Sequence, residues 1–98
     1  MSLPIVFRQA ARNEFDAAAD WYEQRRTGRG AQFTAAVRDV LNRIAEQPEL
    51  YGQVFEDVRE ALVSRYPYCV YYRVESHQVI VLAVFHTARD PSIWQSRF

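Results

Sequence analysis

Apolar positions change their spacing three times along this chain, and each change marks an element. Leu3 to Arg8, with Ile5, Val6 and Phe7 in succession, reads as a first strand. From Gln9 to about Arg26 the spacing turns helical. Ala11, Phe15, Ala18 and Tyr22 recur at intervals of four, three and four, while Arg12, Asp16, Asp20 and Glu23 share the opposite face. Thr27-Gly28-Arg29-Gly30 breaks that helix, because two glycines in four residues favour a turn. A second helix follows on the stripe Phe33, Val37, Val40, Leu41 and Ile44, and Pro48 ends it. So short a turn implies an antiparallel helix hairpin that lays one apolar side on a sheet.

The sheet must come from the C-terminal half. Pro48 to Asp57 reads as a connection, Val58 to Arg65 as a strand of imperfect alternation, and Pro67 as the turn into the next one. Tyr68 to Glu75 and Val79 to Phe85 are β-branched and aromatic runs flanking Glu75-Ser76-His77-Gln78, a connection short enough to force antiparallel pairing. The second run is apolar on both faces and is expected inside the sheet, with the first strand covering its free side. Asp90-Pro91 resembles a helix start, so Ser92 to Arg97 is expected as a short turn that folds Trp94 back onto the sheet. The expected fold is α+β, in the order β-α-α-β-β-β: one domain over residues 1–98, both helices on one face of a mainly antiparallel four-stranded sheet.

Length and composition agree with one domain, since a chain of 98 residues buries only about 60–65% of its unfolded surface. With 49% hydrophobic and 24% charged residues it belongs with ordinary globular proteins. No apolar run approaches the roughly 18 residues that span a bilayer, so a cytoplasmic protein without membrane contact is expected. The single Cys69 permits no internal disulfide. All twelve basic residues are arginines, which removes lysine chemistry and leaves guanidinium forks suited to phosphates and carboxylates. Twelve acids balance them, evenly in both halves, which weighs against affinity built mainly on nucleic-acid phosphates.

Two constellations carry candidate chemistry. Arg59, Arg65, Arg73, His86 and Arg89 lie on or beside the C-terminal strands. Cleavage of RNA through its 2′-hydroxyl needs a base, an acid and fixed cations, roles within reach of a histidine and arginines. Tyr66, Tyr68, Tyr71 and Tyr72 could stack on bases, but half-buried strands favour tyrosine for packing alone. Arg25, Arg26 and Arg29 mark the interhelix turn as a possible seat for an acidic partner segment. No Cys/His/Asp spacing resembles a metal site, and no glycine-rich phosphate loop or G-x-S-x-G elbow is present, so neither metal nor cofactor is expected.

The ordered set of Ala10-Ala11-Arg12-Asn13-Glu14-Phe15, Gln47-Pro48, Val58-Arg59, Tyr66-Pro67-Tyr68-Cys69-Val70-Tyr71-Tyr72-Arg73-Val74 and Val84-Phe85-His86-Thr87-Ala88-Arg89-Asp90-Pro91 resembles the ParE/RelE toxin superfamily, in particular its ParE-like, plasmid stabilisation branch. The resemblance implies the toxin of a bacterial type II toxin-antitoxin module, wrapped by a cognate antitoxin in a hetero-oligomer. RelE-like members cleave mRNA on the ribosome, whereas ParE-like members lack the nuclease residues and poison DNA gyrase. If the nuclease alternative holds, His86, Arg65 and Arg59 are the catalytic candidates. For partner binding the candidates are Arg73, His86, Arg89, Trp94, Arg25 and Arg26. The absence of lysine, with Thr87 and Trp94 where nuclease relatives place tyrosine, favours gyrase inhibition over ribosome-dependent endoribonuclease action. A non-toxic antitoxin-binding domain is the third alternative.

Overall fold

The computed structural model describes residues 2–98. The chain runs β1 (Ile5–Phe7), α1 (Gln9–Arg25), α2 (Arg29–Glu46), β2 (Gln53–Phe55), β3 (Val58–Leu62), β4 (Tyr68–Val74), β5 (Val79–His86) and a one-turn α3 (Ser92–Gln95). The strands form one sheet in the order β1-β5-β4-β3-β2. Among the described residues only the β1–β5 pairing is parallel. The central place of β5 follows from its sequence: every residue from Val79 to Phe85 is buried, which requires a neighbour on both sides and cover on both faces.

The fold class is the expected one, with one strand added. Gln53–Phe55, read from the sequence as connection, folds back on β3 as a short edge strand. Both predicted helical stripes are buried to the last residue. They pack with Val70, Tyr72, Val79, Val81 and Val84 into the main core on one face of the sheet. Phe33 is its hub: its ring stacks on Tyr22 at 5.0 Å and meets the edges of Tyr66 and Tyr68, each at 5.1 Å.

The interhelix turn is tighter than expected. Gly28, at φ 88°, supplies the left-handed turn. Arg29 and Gly30 already belong to α2, and Gly30 serves close approach: a Cβ there would lie 2.7 Å from the Ala19 carbonyl oxygen of α1. The Glu23 carboxylate accepts from the main-chain N–H groups of Gly28 and Gly30 at 3.0–3.1 Å, satisfying donors that the start of α2 leaves open.

The opposite face of the sheet carries a second apolar layer of Val58, Cys69, Tyr71, Ile80, Leu82, Ala83 and Phe85, covered by the C-terminal segment. Trp94 folds back as expected and stacks on Tyr71, ring centroids 4.1 Å apart. Phe98 meets Phe55 edge-on at 5.8 Å. Among the described residues no helix is long and apolar enough to cross a membrane.

Candidate functional site

A groove of about 600 Å³ lies between α1 and the far end of the β4–β5 pair. Its α1 wall is Glu14, Ala17 and Trp21, residues one turn apart and therefore on one helix face. Arg29 closes it from α2, and Tyr68, His86 and Arg89 form the sheet wall. Trp21 is half exposed, and the Arg25 guanidinium lies 4.3 Å from its ring centroid. The result is an apolar floor bordered by cations, with Glu14 its one acidic lining residue.

His86 ends β5, its ring edge-on to Tyr68 at 5.1 Å. Its Nδ1 accepts from the Ala88 N–H at 3.0 Å. In the neutral ring the proton therefore sits on Nε2, and the lone pair a general base would use is already engaged. Burial pushes the Tyr68 phenol above its ordinary value, with the neighbouring Tyr22 adding to the shift. The Tyr68 phenol therefore stays a hydrogen-bond donor at neutral pH.

Glu14 organises the site. One of its oxygens accepts from the Val84 N–H at 3.2 Å and from Arg97 at 3.0 Å. The other accepts from Arg97 at 3.0 Å and from Arg89 at 3.1 Å. Arg97 also donates to the Leu82 carbonyl at 3.1 Å. That carbonyl is set by a β-bulge: Tyr71 faces Ala83 while Tyr72 faces Val81, so Leu82 is an extra residue on β5. The Arg89 guanidinium rests 4.2 Å from the Phe85 ring centroid.

The nuclease candidates are not brought together. Arg59 donates to the carbonyl oxygens of Tyr51 and Glu49, holding the loop after α2. Arg65 stands at φ 71° in the turn between β3 and β4 and lines a different hollow, beside α2. Arg59 pairs with Tyr72 and His86 with Tyr68, so they lie four residues apart along β4, roughly 13 Å at about 3.3 Å per residue, and on strands either side of it. Of the partner-binding candidates, His86 and Arg89 share the groove, and Arg25 flanks it on Trp21. Arg26 is exposed at the end of α1. Arg73 turns to the other face of the sheet, bonded to Asp57 at 3.3 Å and set against Phe98. Trp94 is 2% exposed, so it shapes the second face from beneath and offers no surface of its own.

Sequence reasoning missed Glu14, Trp21 and Arg97. Glu14 did leave a signal, since it falls three residues after Ala11 and four before Ala18 and so lies on the buried stripe. A carboxylate there needs a partner. Arg97 sits in the short segment Ser92–Phe98, which is too brief for a periodic pattern to single it out.

The sequence matches the family of ParE toxins of type II toxin-antitoxin systems, parDE, over residues 5–91. The chain belongs to the ParE toxin family. Comparison with curated proteins gave no match. Among solved structures, the chromosomal ParDE toxin-antitoxin system from P. aeruginosa contains a chain of the same fold. Its TM-score is 0.76 at 13% identity, covering 87% of this chain and 96% of that one. The matched region spans β1 through the Asp90-Pro91 turn, so the ParE family segment contains the groove and Glu14, and Arg97 falls outside it.

Proposed function

We propose that this ParE-family toxin acts by binding DNA gyrase, with no cutting site of its own, and that a cognate antitoxin neutralises it by laying an acidic segment along the groove between α1 and β5. The observation that carries the reading is the state of His86. Its Nδ1 is held by Ala88, and Arg59 and Arg65, the cations a phosphoryl-transfer site would need, line other hollows. A partially apolar groove rimmed by Arg25, Arg29, His86 and Arg89 is suited to recognition of a protein segment carrying carboxylates.

Supercoiling of relaxed plasmid by purified gyrase tests this directly. The toxin should inhibit it in proportion to concentration, and the product of the neighbouring gene should relieve the inhibition. Unimpeded supercoiling at saturating toxin would remove the gyrase reading. New 5′ ends on translated mRNA after induction, lost on His86→Ala, would place the protein with the ribosome-dependent nucleases instead.

A further inference from the structure

β1 carries a short open edge. Its pairing with β5 uses the even-numbered positions: the Pro4 carbonyl accepts from the Val79 N–H and the Arg8 N–H donates to the Val81 carbonyl, each at 2.9 Å. Main-chain groups alternate sides along a strand, so those of Ile5 and Phe7 point outward, and β1 is the outermost strand of the sheet on this side. The edge stops in both directions. The Leu3 N–H turns to the Ala45 carbonyl of α2 at 3.0 Å, and α1 begins at Gln9. Between these ends Val6 is 44% exposed. A groove of about 450 Å³ separates Leu3, Ile5 and Phe7 from Leu41 on α2, and Arg38 and Asn42 border it.

We propose that β1 is the interface for a second copy of this chain, joined edge to edge about a two-fold axis at Val6. The edge itself fixes the register. In an antiparallel pair centred on Val6, Ile5 of each protomer faces Phe7 of the other, and the two pairs together consume every open donor and acceptor on both edges. Val6 then meets its own symmetry mate at a non-hydrogen-bonded position, where side chains approach most closely. The charges on α2 obey the same symmetry. Helices on one face of the joined sheet run antiparallel across the axis, and Arg38 and Glu46 lie two turns apart, about 12 Å, with Asn42 midway. A two-fold there sets Arg38 of each copy against Glu46 of the other. Both residues are exposed, and neither enters the ion pairs among the described residues, which join Arg12 to Asp16, Arg73 to Asp57, and Arg89 and Arg97 to Glu14. The Leu3–Ala45 bond and the shared groove hold this stretch of α2 alongside β1, so one axis serves both. A foreign peptide strand would gain little pairing at so short an edge, whereas a second copy adds the reciprocal charges and covers the groove. The α1 groove shares no lining residue with this surface, so the dimer leaves it open.

Sedimentation velocity of the full chain tests the proposal. It should show a reversible monomer–dimer equilibrium with a dissociation constant at or below about 100 μM. Val6→Lys sets two ammonium groups against each other at the axis and should weaken the dimer at least about tenfold. Arg38→Glu and Glu46→Arg, both at exposed helix positions, should each weaken it about fivefold or more. The double exchange of Arg38→Glu with Glu46→Arg should restore it, because the reciprocal pairs re-form with their signs reversed. This exchange keeps the question decidable where Val6→Lys disturbs β1. Amide exchange at Ile5 and Phe7 should slow as the protein concentration rises through the dissociation constant, with β3 unaffected. A chain still monomeric at about 1 mM, a dimer indifferent to Val6→Lys, or a double exchange that fails to restore association overturns the proposal.

Discussion

Gly30→Ala places a single methyl group where the two helices touch. Its Cβ would stand 2.7 Å from the Ala19 carbonyl oxygen, 3.0 Å from the Glu23 Cβ and 3.0 Å from a Glu23 carboxylate oxygen. The carbonyl is helix backbone and cannot swing aside, so α1 and α2 must separate by several tenths of an ångström. Overpacking of this kind costs about 1–3 kcal/mol. Pushing Glu23 away also weakens its bond to the Gly30 N–H, worth about 1 kcal/mol at this partly buried position. Alanine returns up to about 1 kcal/mol through helix propensity, less at the first turn than in the interior. The balance is a loss of roughly 2 kcal/mol, or about 8–16 °C in Tm for a domain of this size. Urea unfolding followed by far-UV circular dichroism should show a lower midpoint with the slope m unchanged. Gly28→Ala is the informative control, because no atom lies within 4 Å of its Cβ and only the φ of 88° opposes it, at about 1 kcal/mol. Equal or greater stability of Gly30→Ala would refute the close-approach argument.

Trp94→Ala should cost about 3 kcal/mol by removing the stack on Tyr71, and hydrogen exchange should show the Ser92–Phe98 segment opening first; unchanged protection there would mean the second apolar layer does not depend on Trp94. Glu14→Ala strands the Val84 N–H and Arg97 and should cost about 2 kcal/mol, kept modest by the partial exposure of Arg89. Glu14→Gln keeps an acceptor and should cost less, so equal loss in both variants by chemical denaturation would contradict its role as acceptor for the Val84 N–H. Burial raises the phenol of Tyr71, helped by its hydrogen bond to Glu60, and burial pushes Tyr72 up to about 12. Both folded values lie above the ordinary 10.0, so their contribution to stability is complete below about pH 10 and lost as pH rises through the folded values. Tyr71→Phe should flatten the fall of stability between about pH 10 and 12 by up to about 1.4 kcal/mol per pH unit, and an unchanged slope by urea titration would refute the assignment.

The candidate site was half legible before folding. His86 and Arg89 were readable because they stand where the continuous apolar run Val79–Phe85 stops, which places side chains at a sheet rim. Arg59, Arg65 and Arg73 share the C-terminal strands by sequence, yet a strand presents two faces and a turn can face neither. Folding sends one to the loop after α2, one to a hollow beside α2 and one to Asp57. Gln53–Phe55 escaped notice because three residues carry too little periodicity to mark a strand, and only pairing with β3 defines it.

By itself the sequence determined the helix hairpin, the apolar stripes Ala11-Phe15-Ala18-Tyr22 and Phe33-Val37-Val40-Leu41-Ile44, the central β5 and the return of Trp94. These are consequences of local spacing, because a side chain's direction relative to its own backbone follows from position in the helix or strand. Tertiary structure alone decided that Glu14, Arg89 and Arg97 meet, that Leu82 bulges, and that Gly30 admits close approach of the helices. Each depends on the distance between elements far apart in the chain, and no local period encodes that distance.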